Sequence, residues 1–132
     1  MTNGERPNWV EARGNCTLEG TFEQIMASIR YDVKCFDKMH ERKPRDRTIG
    51  FENGCLHKAT VWSRKAGPTP VDDTVSVHIA GQCIRVCRNR EHLFTVDREW
   101  NEQTLTCDLK ISGEVYSLWQ ISQKAIGDLL FG

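Results

Sequence analysis

From Thr21 to Arg42 the apolar residues recur at helical spacing. Phe22, Ile25, Met26, Ile29, Val33 and Phe36 fall on the i, i+3, i+4, i+7 stripe, while Glu23, Arg30, Lys34, Asp37 and Lys38 fill the opposite side. The spacing predicts one long amphipathic helix. Thr21 followed by Gln24 fits a capping box, and Thr17 before Leu18 offers a start one turn earlier. Pro44 stops the helix, because its ring removes a donor and clashes with the preceding turn.

Beyond Pro44 the period shortens to two. Asn53-Gly54 is a two-residue hairpin signal that pairs Phe51 with Leu56, and the strand that follows, Cys55 to Ser63, ends in a Pro- and Gly-rich loop from Arg64 to Pro70. Later strands can be aligned by register, since a slip of one residue moves every side chain to the other face. A turn at Ala80-Gly81 pairs Val77 with Ile84 and Val75 with Val86. A turn from Asn89 to Glu91 pairs Val86 with Phe94 and Ile84 with Val96. A turn from Glu99 to Glu102 pairs Val96 with Leu105 and Phe94 with Cys107, and Ser112-Gly113 pairs Leu109 with Tyr116 and Cys107 with Leu118.

These pairings put the apolar residues of successive strands on one face, which the long helix then covers. Ile121-Ser122 reads as staple and N-cap of a last helix, Gln123 to Phe131, with Ile126, Leu129 and Leu130 turned inward. The expected fold class is α+β: a long N-terminal helix packed on an antiparallel β-meander of five to seven strands, with a short C-terminal helix. A chain of 132 residues suits one domain spanning residues 1–132, with residues 1–16 a flexible or extended N-terminal segment.

Composition changes the picture little: 39% hydrophobic, 27% charged and a mean hydropathy of -0.53 are those of an ordinary globular chain. The opening MTNGERPNWVEARGN holds no apolar run that could serve as a secretory leader, and no membrane-length apolar stretch follows. A cytoplasmic protein with no membrane partner is therefore expected. In a reducing compartment the six cysteines read as buried small hydrophobes and not as a disulfide framework, and the Asn15-Cys16-Thr17 sequon is accidental.

Net charge is zero but uneven. Between Lys38 and Lys65, Lys38, Arg42, Lys43, Arg45, Arg47, Lys58, Arg64 and Lys65 face only Glu41, Asp46 and Glu52.

The face of the meander away from the helix is where a function would be written. Its central row in this register is Ser76, Arg85, Thr95, Thr106 and Trp119, with His78, Cys83, Asp97 and Thr104 on one side and Thr74, Cys87, Leu93, Asp108 and Ser117 on the other. His78, Cys83 and Asp97 contain the residue types of a nucleophilic triad, but Cys83 falls between the other two, where an imidazole belongs. Cys83, Cys87, His92 and His78 cannot share one metal ion, because four strand residues separate the two thiols by about 13 Å. Cys55 and His57 share a face without further ligands. No glycine-rich phosphate loop, G-x-S-x-G, H-E-x-x-H or C-x-x-C is present, so no catalytic residue, cofactor or metal is expected.

Three function classes follow. The leading expectation is a small non-enzymatic binding or regulatory protein whose open sheet face meets a partner protein or a second copy of itself. Arg85 and Trp119 would be its anchors, with His78, Asp97, Thr95 and Thr106 around them. An alternative is a nucleic-acid binder using the basic loop at 42–47 (Arg42, Lys43, Arg45, Arg47) with Arg64 and Lys65, although the pI near 6.9 is low for one. Another is a small-ligand protein or enzyme with a pocket near His78 and Asp97.

Overall fold

A computed structural model of the chain describes residues 6–39, 47–54, 57–65 and 72–132, with Arg47 described in its backbone only. The helical stripe forms as its spacing dictates: α2 spans Leu18–Met39 and buries Thr21, Phe22, Ile25, Met26, Ile29, Val33 and Phe36. It starts at the earlier of the two capping positions. Thr17 Oγ1 accepts from the Gly20 N–H at 3.1 Å, leaving Thr21 buried inside the helix. The stop assigned to Pro44 lies outside the described residues. A short helix, α1 (Trp9–Gly14), precedes α2 within the segment read as flexible or extended, with the Asn8 side chain accepting from the Glu11 N–H at its start.

Seven strands follow: β1 (Arg47–Asn53), β2 (Lys58–Lys65), β3 (Asp72–Ala80), β4 (Cys83–Arg88), β5 (Glu91–Asn101), β6 (Thr106–Ile111) and β7 (Glu114–Tyr116). They lie side by side in chain order as one antiparallel meander, and α3 (Leu118–Phe131) ends the chain. This is the expected α+β arrangement. Helices α2 and α3 pack on each other and on the central strands. The core between helices and sheet holds Val61, Val75, Val77, Ile84, Val86, Phe94, Val96, Leu109 and Ile111 with Ile121, Ile126 and Leu129 of α3.

Four turns differ from those expected, three of them with a change of register. The β3–β4 turn is Gly81-Gln82, so Val77 pairs with Val86 and Ile79 with Ile84. The β4–β5 pairing of Ile84 with Val96 and Val86 with Phe94 holds. It ends, however, in a two-residue Asn89-Arg90 turn, both residues at positive φ (51° and 71°), and a bulge at Val86/Cys87 absorbs the extra residue. Asn89 is fixed there by the Thr74 N–H, which donates to its Oδ1 at 2.9 Å. The β5–β6 turn lies at 102–105, pairing Asp97 with Lys110 and Trp100 with Cys107. Leu109 pairs with Tyr116 as expected.

The slips at β3–β4 and β5–β6 are both even, so every side chain keeps its face. The first hairpin differs. Leu56 lies outside the described residues, but Asn53 pairs with Ala59 and Phe51 with Val61, an odd displacement from the expected register. It turns Ala59, Val61 and Ser63 inward and Thr60, Trp62 and Arg64 outward.

The C-terminal helix starts four residues before Ser122. Ser117 is its N-cap, with a capping box to Gln120, and Ile121 and Ser122 are buried within it. The buried Ser122 hydroxyl donates to Asp32 of α2 at 2.6 Å, and Ser28 of α2 donates to the Leu118 carbonyl at 3.3 Å. Two of the cysteines read as thiols are bonded: Cys16, between α1 and α2, forms a disulfide with Cys107 of β6, across 91 residues of sequence. Once Trp100 and Cys107 share the covered face, the buried Cys16 meets Cys107 at a Cα separation of 5.3 Å. Cys35, Cys83 and Cys87 are free. No helix among the described residues is long and apolar enough to cross a membrane.

Candidate functional site

Alternation along each strand fixes what the uncovered face carries. Lys58 of β2 pairs with His78 of β3, His78 pairs with Arg85 of β4, and Arg85 pairs with Thr95 of β5. Directly opposed residues in an antiparallel sheet have Cβ atoms about 4.5–5.5 Å apart, and like charges so placed repel. The sequence therefore folds into a cross-strand row of two full cations with an imidazole between them. His78 Nδ1 is shielded from solvent and has no hydrogen-bond partner. Burial holds the His78 imidazole below its usual pKa, and the charges of Lys58 and Arg85 lower it further.

The other cations of this face are neutralised. Arg64 Nε and Nη2 donate to the two carboxylate oxygens of Asp72 at 2.7 and 3.1 Å. Lys110 Nζ donates to Glu99 at 2.6 Å. Neither Lys58 nor Arg85 has a carboxylate among the described residues within ion-pair distance. Hydroxyls border the row: Thr60 pairs with Ser76 on one flank, and Thr95 Oγ1 contacts His92 Nε2 at 2.8 Å on the other. Trp62 supplies an aromatic surface on the same face. Its indole lies over Gly50, where a Cβ would overlap the ring, and the Arg64 guanidinium stacks on it 5.5 Å from the centroid.

Of the residues singled out from sequence, His78, Arg85 and Thr95 come together. Asp97 sits one row further on, between Cys83 of β4 and Lys110 of β6. The pocket expected around His78 and Asp97 thus has Arg85 beside the imidazole, and Cys83, expected between His78 and Asp97, pairs with Ala80 instead because the β3–β4 register is shifted by two. Thr106 is displaced by the β5–β6 register: it pairs with Asn101 near the turn, and its Oγ1 contacts Thr104 Oγ1 at 2.6 Å. Trp119 is not on the sheet. It stands in the first turn of α3, 62% exposed, on the rim of an apolar groove of about 360 Å³ that also contains Cys35, Phe36, Met39 and Phe131. The strand that would have carried it ends at Tyr116, because Ser117 caps a helix.

Sequence reasoning missed Lys58 and Trp62 as site residues. The signal was present: Lys58, Thr60, Trp62 and Arg64 alternate with Ala59, Val61 and Ser63, and charged residues at both ends of the first series mark it as the solvent side. The weight given to Asn53-Gly54 as a tight turn overrode it. Of the basic residues, Arg42, Lys43 and Arg45 lie outside the described residues, as does the side chain of Arg47. Arg64 is bound to Asp72, and Lys65 is exposed at the end of β2. Among the described residues no three His, Cys, Asp or Glu converge as metal ligands. No protein family, curated protein or solved structure matches this chain.

Proposed function

We propose that this chain is a small binding protein whose open sheet face takes up an acidic surface of a partner protein. The observation that carries the reading is the row Lys58–His78–Arg85: two cations on β2 and β4, one on each side of His78 of β3, with no acid among the described residues to balance them, on a face where Arg64 and Lys110 are both paired. An incoming carboxylate relieves their repulsion and is steered toward them over several ångströms. Thr60, Ser76 and Thr95 add hydroxyl donors, and Trp62 gives a half-buried ring of the type that anchors interfaces. Arg85 keeps the anchoring role assigned from sequence, and Trp62 replaces Trp119.

The test is an NMR titration of isotope-labelled protein with a polyglutamate peptide. The expected result is a saturable, salt-sensitive movement of Lys58, His78, Arg85 and Thr95 resonances. The movement is lost in Lys58→Glu with Arg85→Glu, while thermal stability is nearly kept, since both side chains are exposed on the open face. A peptide that moves no resonance of this row would end the proposal. A cytoplasmic location is a separate part of this reading, and the Cys16–Cys107 bond counts against it; thiol alkylation of protein taken directly from cells tests it, with reduced cysteines in its favour and an intact bond overturning it.

A further inference from the structure

The covered side of the sheet holds a second unbalanced cation. Arg98 follows Val96 along the face that packs on the helices and pairs with Leu109. Its Nη1 donates to the Cys16 carbonyl at 3.1 Å. Its Nε is shielded from solvent without a partner, and no carboxylate among the described residues reaches it. A shielded Nε–H with no partner carries a desolvation cost that an incoming acceptor would relieve.

Arg98 lines an open groove of about 640 Å³ between α1, the start of α2, the β3–β4 turn at Gln82 and the end of β5, a volume in the range of small-molecule sites. Two of its walls are the indoles of Trp9 on α1 and Trp100 on β5. The first turn of α2, at Leu18 and Glu19, contributes the positive end of a 22-residue helix. Arg13, the other cation of the groove, is already engaged: it lies 5.6 Å from the Trp100 centroid and 3.6 Å from a Glu102 carboxylate oxygen.

We infer that this groove binds a small aromatic carboxylate, its carboxylate on the Arg98 guanidinium and its ring between Trp9 and Trp100. The guanidinium fork matches a planar carboxylate, and the two indoles favour a flat apolar body. The exposed Glu19 carboxylate at the mouth selects a monoanion over a phosphate dianion. The site is separate from the open face: Arg98 and Trp100 lie on the helix side of the sheet, and Lys58, His78 and Arg85 on the other.

The inference is tested with 2-naphthoate, uncharged 2-naphthamide and acetate as probes, titrated into labelled protein with the disulfide intact. Naphthoate is expected to move the Trp9 and Trp100 indole N–H and the Arg98 Nε–H resonances along one saturation curve, and to bind at least about tenfold more tightly than naphthamide or acetate. Arg98→Lys should erase that preference by weakening naphthoate about tenfold while leaving naphthamide unchanged. Trp9→Ala, on a residue already 44% exposed, should weaken both naphthalene probes without risk to the core. Equal affinity for naphthoate and naphthamide, no saturation up to about 10 mM, shifts confined to His78 and Arg85, or unchanged naphthoate affinity in Trp9→Ala would each overturn it.

Discussion

Two buried polar groups show how single residues set conditions for the whole fold. Thr21 Oγ1 sits in the core face of α2, 1% exposed and without a hydrogen-bond partner. An unmet buried hydroxyl costs on the order of 1–3 kcal/mol. Thr21→Val keeps the shape and removes the hydroxyl, so it should leave stability equal or raise it by about 1 kcal/mol in urea denaturation. His78 acts through pH. Its folded pKa is lowered below the ordinary 6.5, first by burial and then by Lys58 of β2 and Arg85 of β4; Cys83, Cys87 and Arg88 are the other titratable side chains of β4. Between the folded value and 6.5 the unfolded chain binds the more protons, so stability falls as pH drops through about 6.5 and levels off below the folded value. Denaturation midpoints measured from pH 7.5 to 5 should show that slope, and His78→Gln should flatten it.

At the scale of elements, the readable and the unreadable parts differ by where their information resides. The α2 stripe was legible because six apolar side chains at helical spacing leave one way to bury them. The first hairpin was not, since a strong local turn signal at Asn53-Gly54 competed with the alternation of β2, and burial of Val61 against the helices decided for alternation. The start of α3 was placed at Ser122, yet Ser117 has the better cap, because Gln120 completes its box and frees Ile121 and Ser122 to face α2 and the core. The Cys16–Cys107 bond joins the α1–α2 junction to β6 across 91 residues. A closed loop of that length implies stabilisation of up to about 4–5 kcal/mol from the lost entropy of the unfolded chain. Reductant should lower the unfolding free energy by that amount, and Cys16→Ser with Cys107→Ser should do the same and abolish the sensitivity to reductant.

For the molecule as a whole, the sheet runs in chain order, so each strand needs only its sequence neighbour, and local turns plus alternation nearly determine the architecture. Register errors of two or six residues left the faces intact, whereas the odd error in the first hairpin exchanged them. That exchange brought Lys58 beside His78 and Trp62 beside Thr74 on the open face. The sequence by itself determined the amphipathic helix, the strand succession and the inward set of β3 to β6, because periodicity is a local property of the chain. Tertiary structure alone decided which cations are paired, that Trp119 belongs to a helix and not to the sheet, and that Cys16 and Arg98 meet where α1, α2 and β6 converge. Those outcomes depend on distances between residues far apart in the chain, which local spacing does not carry.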